Sequence, residues 1–89
     1  MTSISMPTAE ELQESVMGCL EAFGGKATNA QILHWATENL NLTQPQLEVL
    51  RSGNRSEVEY RLAWARTRLR KQGLINRIGP STWALGPNL

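Results

Sequence analysis

The chain has 89 residues, of which 40% are hydrophobic and 19% are charged, and its formal net charge is +1 at pH 7. These values fit one ordinary globular domain, because a chain of this length can form one hydrophobic core but has little room for an internal active-site cavity. No apolar run in the sequence approaches the roughly 20 residues that a membrane-spanning helix needs. An internal disulfide is excluded, because Cys19 is the only cysteine.

Four segments carry the capping sequence that opens a helix, a Ser or Thr followed three residues later by Glu or Gln. In this pattern the two side chains satisfy two backbone N–H groups that the start of a helix would otherwise leave unpaired. Each instance precedes a stretch with helical periodicity, so the sequence predicts four helices. The four pairs are Thr8–Glu11, Thr28–Gln31, Thr43–Gln46 and Ser56–Glu59.

The first three predicted helices have apolar residues at helical spacing on the side that would face the core. On the first helix, which ends at Gly24-Gly25, this side consists of Leu12, Val16, Cys19, Leu20 and Phe23. On the second helix, it consists of Ile32, Leu33, Ala36 and Leu40. On the short third helix, which ends at residues 52–54, it consists of Leu47 and Leu50.

The fourth predicted helix, at about residues 57–72, is the most basic part of the chain. Its narrow apolar stripe consists of Val58, Leu62, Ala65 and Leu69. At about 100° per residue, the opposite face presents Tyr60, Ala63, Thr67 and Lys71. Arg66 and Arg70 flank this face on one side and Trp64 on the other. Arg61 and Arg68 lie near the apolar stripe, where we expect their stems to extend along it.

After Gly73 the periodicity changes to that of strands. The sequences LINRI and TWAL read as two short strands around a turn at Gly79-Pro80, and GKATN upstream reads as a third, very short strand. A hairpin alone is marginally stable, so it must pack on the helices, and Trp83 is the expected anchor. The prediction is a mainly α winged helix-turn-helix, with three to four helices and a β-hairpin wing, at residues 9–86 between flexible tails at 1–8 and 87–89.

From residue 54 onward the chain reads NRSEVEYRLAWARTRLRKQGLINRIGPSTWAL, which resembles the N-terminal domain of Mrr-type restriction proteins. The matching residues are the Trp64-Ala65 pair, Leu69, the Gly73-Leu74 pair, and Gly79 before the wing tryptophan Trp83. Upstream, KATNAQI and LNLTQPQLEVLRSG are similar to that family's second and short helices, so the resemblance covers roughly residues 10–86. It implies a winged-helix module of the kind found beside nuclease domains that attack modified DNA.

Two features depart from the family's pattern. The wing tryptophan is followed by ALGPNL, where the family has a threonine and glycine that lead into a linker. In addition, residues 55–89 hold only Glu57 and Glu59 as acids, so no carboxylate-and-lysine metal site of a nuclease can be assembled there. We therefore expect a DNA-reading module without the cutting machinery, either cut from a longer enzyme or free-standing.

Residues that could carry out catalysis are scarce. Cys19 lies on an apolar helical side and is predicted to be buried and inert, and His34 is predicted to be a surface residue. No His, Cys and acidic residues stand at metal-ligand spacing, and no glycine-rich phosphate loop precedes a helix. The expectation is that the chain is not an enzyme and holds no metal or cofactor.

Basic residues are concentrated in one part of the chain: residues 55–89 hold seven of the nine basic residues and two of the eight acidic ones. Such asymmetry is common in nucleic-acid-binding proteins. In a helix-turn-helix, the second helix enters the major groove with its N-terminal end leading, while basic side chains hold phosphates. The predicted contacts with double-stranded DNA are Arg55 and Ser56 at the leading end, Tyr60, Ala63 and Thr67 on the outward face, Arg66, Arg70 and Lys71 at phosphates, and Arg77 and Ser81 on or beside the wing.

Three functions stay open at this point. The leading one is recognition of duplex DNA, modified or not, in a restriction or defence system. The second is a small sequence-specific transcriptional regulator, which a palindromic target and a stable dimer would favour. The third is a protein-interaction module whose contact surface is the acidic first half. A further alternative is that the basic helix is simply solvated and binds no partner.

The partners and location follow from these functions. A nuclease domain or subunit, or a second copy of the chain, would be compatible with them, whereas a membrane would not. The start MTSISMPT has neither the basic residues nor the apolar segment of a secretory signal. A lone cysteine fits a reducing compartment, so we expect a cytoplasmic, bacterial protein.

The tryptophans receive separate interpretations. Trp83 is predicted to hold the wing in place. For Trp64, packing under the wing is favoured over stacking on a partner. For Trp35, a position over the first-helix junction and a position in a dimer surface both stay open.

Overall fold

The computed structural model describes residues 5–51 and 53–86. Residues 1–4 of the predicted N-terminal tail, the whole predicted C-terminal tail at 87–89, and Ser52 at the predicted end of the third helix lie outside the described residues. In chain order, the elements are α1 (Ala9–Ala22), β1 (Lys26–Thr28), α2 (Asn29–Asn39), α3 (Gln44–Leu47), α4 (Glu57–Lys71), β2 (Ile75–Gly79) and β3 (Thr82–Leu85).

The helix starts follow the capping sequences. At Thr8 the hydroxyl accepts the Glu11 amide at 3.1 Å, and the Thr8 amide donates to the Glu11 carboxylate at 2.8 Å. The same reciprocal pair forms at Thr28 and at Thr43. At α4, the described contacts contain only the first half of the pair, the bond from the Glu59 amide to the Ser56 hydroxyl at 3.3 Å. The four predicted helix starts are therefore confirmed, because each begins at its Ser or Thr.

The end of α4 is defined by a glycine. Gly73 has φ of +79°, a left-handed conformation that glycine adopts without steric cost. The Gly73 amide donates to the Arg70 carbonyl and the Leu74 amide to the Leu69 carbonyl, both at 3.0 Å. This pair of bonds satisfies carbonyls that the helix end would leave free and turns the chain sharply toward the wing.

The three strands form one antiparallel sheet in the order β1-β3-β2, so the last strand in the chain is the middle strand of the sheet. Ala27 of β1 and Arg77 of β2 are the register partners of Trp83, one on each side. The pairing of β2 with β3 shifts between Arg77 and Gly79, just before the turn. The predicted hairpin and the predicted third strand are both confirmed.

The core lies where α1, α2 and α4 meet the inner face of the sheet. The apolar stripe of α4 is buried as predicted, with exposed fractions of 1–3%. Trp83 is 8% exposed, and its indole N–H donates to the Asn29 side-chain carbonyl at 2.9 Å. Together with the helix order, these contacts establish a winged helix-turn-helix. The short α3 lies between α2 and α4 in the chain, and the β2–β3 hairpin is the wing.

Two apolar residues predicted to face the core are exposed. Phe23 is 41% exposed because it stands at the C-cap of α1, beyond the last helical turn, where it meets Trp35 edge-on at 6.1 Å between ring centres. Leu50 is 56% exposed because α3 has already ended at Leu47 and helical spacing no longer sets its direction. The backbone of Leu50 instead forms a bridge with Ser56.

The segment before α1 is in contact with the domain. Met6 packs against the core, and the Ser5 carbonyl accepts a hydrogen bond from the Gln46 side chain at 3.0 Å. Within residues 5–51 and 53–86, no helix has both the length and the apolar character needed to cross a membrane.

Candidate nucleic-acid interface

The outward face of α4 forms a shallow groove at its N-terminal half. Because the apolar stripe turns toward the core, the face opposite to it is left at the surface, and a groove of about 300 Å³ lies along it. Its lining consists of Arg55, Tyr60, Ala63, Trp64 and Thr67. Four of the ten predicted DNA contacts therefore lie together, and Trp64 joins them.

Two arginines are stacked on Tyr60 at the start of this groove. The guanidinium carbon of Arg51 lies 3.7 Å from the centre of the Tyr60 ring, and that of Arg55 lies 4.9 Å from it. The connection between α3 and α4 places them there, because it folds back on itself and the Arg51 amide donates to the Arg55 carbonyl at 2.8 Å. A tyrosine face in contact with a guanidinium holds that cation in place, so Tyr60 fixes two positive charges at the leading end of α4.

A buried carboxylate lies beside this stack. Glu57 is 8% exposed and accepts from Nε of Arg61 at 2.6 Å and from a terminal nitrogen of Arg51 at 3.4 Å. The hydrogen bond from Arg61 is the main cause that lowers the pKa of Glu57, and the charges of Arg61 and Arg51 add to it, while burial opposes the shift. Arg61 was expected only to extend along the apolar stripe, and its head group is instead fixed by this pair.

This ion group predicts a dependence of stability on acid. A lowered pKa means that the folded domain binds the Glu57 proton less tightly than the unfolded chain does. The contribution to stability is therefore fully present above the ordinary pKa of 4.5 and is lost as the pH falls through the lowered value. We expect Glu57→Gln to destabilise the domain at pH 7 and the difference from wild type to shrink below pH 4.5. Urea unfolding midpoints measured from pH 7 to pH 3 check this, with exposed Glu14→Gln as the control; a constant difference would contradict it.

The flank of α4 next to the wing carries Arg66. Its guanidinium carbon lies 5.7 Å from the centre of the Trp83 ring, and its Nε is buried without a hydrogen-bond partner among the described residues. Burial is the main cause that lowers the pKa of Arg66; the charge of Glu59 opposes this shift, and that of Arg77 adds to it. Arg66 therefore lies half-buried between α4 and the wing, rather than free at the surface.

Several other predicted contacts already have intramolecular partners. Arg77 donates from Nε to the Gly79 carbonyl at 3.1 Å and from a terminal nitrogen to the Pro80 carbonyl at 2.5 Å, so it stabilises the wing turn. The Thr67 hydroxyl donates to the Ala63 carbonyl at 3.0 Å, which leaves only its lone pairs for a base. The Ser56 hydroxyl caps α4.

The remaining predicted contacts, Arg70, Lys71 and Ser81, are exposed at the C-terminal half of α4 and at the wing turn. The ten predicted residues thus lie just before and along α4 and in the wing, and four of them are shown together in the groove. Contact with DNA stays a prediction for all ten of them.

The prediction for Trp64 was wrong. Trp64 is 47% exposed and contacts Tyr60 edge-on at 6.4 Å between ring centres, away from the wing. Trp35 covers the α1–α2 junction, where its indole nitrogen would lie 3.5 Å from a side chain added at Gly18. Trp64 does not pack under the wing because the wing covers the flank of α4 that carries Arg66. Trp64 lies on the far side of the helix from that flank.

The residues considered for catalysis are apart from one another. Cys19 is buried, and burial raises the pKa of its thiol. His34 is exposed and lies 3.3 Å from Glu38 on the same helix. Among residues 5–51 and 53–86, no three His, Cys, Asp or Glu side chains are grouped as metal ligands.

Residues 10–88 match a family model described as the Mrr N-terminal domain. The match covers nearly the whole chain and includes α1 from its second residue, the α3–α4 connection, the basic helix and the wing. No curated protein and no solved structure matches the chain.

Proposed function

The chain belongs to the Mrr N-terminal domain family, and on that premise we propose that it is a duplex-DNA-binding module that recognises DNA, modified or not, for a restriction or defence system. The family associates the chain with restriction systems. The proposal adds that α4 enters the major groove and that the basic residues around it hold phosphates.

The observation that carries this proposal is the position of the cations relative to α4. Two arginines are held on Tyr60 at its leading end, and Arg70 and Lys71 are exposed near its other end. Between these cations the groove presents Ala63 and Thr67, whose methyl groups can contact the methyl group of thymine in the major groove. In the proposal, phosphate contacts set affinity and orientation, while Ala63 and Thr67 in the groove set the preference between sequences.

The proposal assigns a binding role without catalysis. A nuclease domain or subunit supplies cleavage, and the bacterial cytoplasm, where DNA and a reduced thiol coexist, is the location. A second copy of the chain is a further proposed partner if the target is palindromic.

Salt dependence tests the proposal directly. Roughly three to five phosphate contacts imply that log Kd changes with log salt at a slope of about 2.7 to 4.5, because each contact releases about 0.9 counterion. Affinity should fall roughly 40- to 500-fold between 50 and 200 mM salt. Fluorescence anisotropy with a labelled duplex of about 20 base pairs, unmodified and cytosine-methylated, measures the slope and the preference together.

The competing functions predict other results. A sequence-specific regulator would bind one palindromic duplex as a dimer and ignore methylation. A protein-interaction module would show no salt-dependent retention on DNA. Its surface would be the acidic groove between α1 and α4, which includes Glu10, Glu14 and Glu21.

A further inference from the structure

A pocket of about 220 Å³ lies on the flank of α4 that faces the first turn of α1. Three arginines line it, Arg51, Arg61 and Arg68, against the single carboxylate of Glu57, which leaves two positive charges in excess. Tyr60 and Trp64 form its aromatic wall, and the same two rings line the groove on the outward face of α4. The pocket and the groove are therefore neighbouring surfaces separated by these rings.

The arginines of this pocket are held in place before any ligand arrives. Glu57 contacts Arg61 through its Nε and Arg51 through one terminal nitrogen. The other N–H groups of each guanidinium take no part in these two contacts. The two side chains remain 44% and 45% exposed even though their charged groups are fixed. Because the freedom of these long side chains is already restricted, they lose less conformational entropy when an anion binds them.

The position of the pocket around α4 indicates which anion it meets. At about 100° per residue, Arg61 and Arg68 lie on one flank of α4, and Arg66 and Arg70 lie on the opposite flank, with Tyr60 and Thr67 between them. A helix with its side chains is about 10–12 Å wide, and the major groove is about 12 Å wide, with one phosphate backbone along each edge. A helix inserted with Thr67 toward the bases turns its two flanks toward different strands.

We propose that this pocket is a second phosphate site, in which Arg51, Arg61 and Arg68 bind the DNA strand opposite to the one held from the wing side. The inference rests on the proposed function. Tyr60 acts in it as a positioning residue for Arg51, through the stack at 3.7 Å, rather than as a reader of bases. The phosphate surface ends at Gln13, because the groove on the other side of this residue carries Glu10, Glu14 and Glu21, whose charges repel phosphate.

The test compares salt slopes of variants on both flanks. Arg68→Ala removes a pocket arginine outside the Glu57 ion group, and it should lower the slope by about 0.9 and the affinity at 0.1 M salt about eightfold. Gln72→Ala changes an exposed, uncharged residue on the same flank of α4, one turn beyond Arg68 and outside the lining of the pocket, and it should bind as wild type. Circular dichroism of each variant shows that it is folded.

Tyr60 variants test its positioning role. Tyr60→Phe keeps the aromatic face and should keep the slope, whereas Tyr60→Leu should lower the slope because Arg51 loses its support. A residue that only reads bases would change sequence preference in both variants and leave the slope unchanged, which would overturn this role.

Different results would overturn the second phosphate site and the proposed DNA binding. If Arg70→Ala lowers the slope while Arg68→Ala and Arg51→Ala keep the wild-type slope, the second phosphate site is overturned and DNA binding stands. If the wild-type chain shows no salt-dependent binding to duplex DNA, the proposed function is overturned together with this site.

Discussion

Trp83→Ala should destabilise the domain by about 3–5 kcal/mol, the usual cost of removing a large buried aromatic side chain. The ring is 8% exposed, its N–H donates to Asn29, and the Arg66 guanidinium lies over it. Small domains have a total stability of only about 5–15 kcal/mol, so much of the chain could unfold. Urea unfolding followed by far-ultraviolet circular dichroism measures the loss.

Trp83→Phe is the matched control for that experiment. It keeps an aromatic ring in the core but removes the donor to Asn29, so it should cost less than the alanine variant, with about 1–3 kcal/mol from the unpaired carbonyl. A loss below 1 kcal/mol for Trp83→Ala would show that the wing is held by its backbone pairing alone.

Removing Arg70 and Lys71 together should weaken duplex binding about 60-fold at 0.1 M salt and lower the salt slope by about 1.8, since each phosphate contact contributes about 0.9. Both side chains are exposed at the end of α4, so their removal leaves the core intact. The expected loss is the same for every DNA sequence, because phosphates carry no base information. Anisotropy titrations at several salt concentrations, with two unrelated duplexes, provide the measurement.

Two comparisons sharpen this experiment. Gln72→Ala, next to the pair and exposed, should bind as wild type. Arg66→Ala is a poorer probe than Arg70→Ala, because it also removes a half-buried side chain from the Trp83 ring. If the Arg70→Ala/Lys71→Ala variant keeps the wild-type slope, this end of α4 does not contact phosphates.

The fold could be predicted from sequence because its signals are local. The capping pairs lie three residues apart, so each helix start is specified within one helical turn. The stripe from Val58 to Leu69 has one periodicity over its whole length, which fixes the buried side of α4. Leu50 was misjudged where this periodicity was extended past the end of a helix of only four residues.

The details of the candidate site depend on the path of the irregular connections, which the periodicity of the sequence does not give. The pair of Glu57 and Arg61 has the i, i+4 spacing that marks helical ion pairs and could have been found. The position of Arg51 could not, because only the folded connection brings it onto Tyr60 and Glu57. Likewise, periodicity does not show that Arg77 donates to the carbonyls of its own turn, because the pairing of β2 with β3 is irregular at this place.

The strand order has a consequence for how the domain folds. Helices α1 and α2 are neighbours in the chain and can associate early, whereas β1 between them has no partner until β3 arrives, and the bond from Trp83 to Asn29 spans 54 residues. Closing a loop of that length costs about 3.5 kcal/mol of chain entropy. The transition state for folding should therefore contain the pair of α1 and α2 and lack the wing. The surface proposed to meet DNA, which needs the wing beside α4, would then be the last part of the molecule to form.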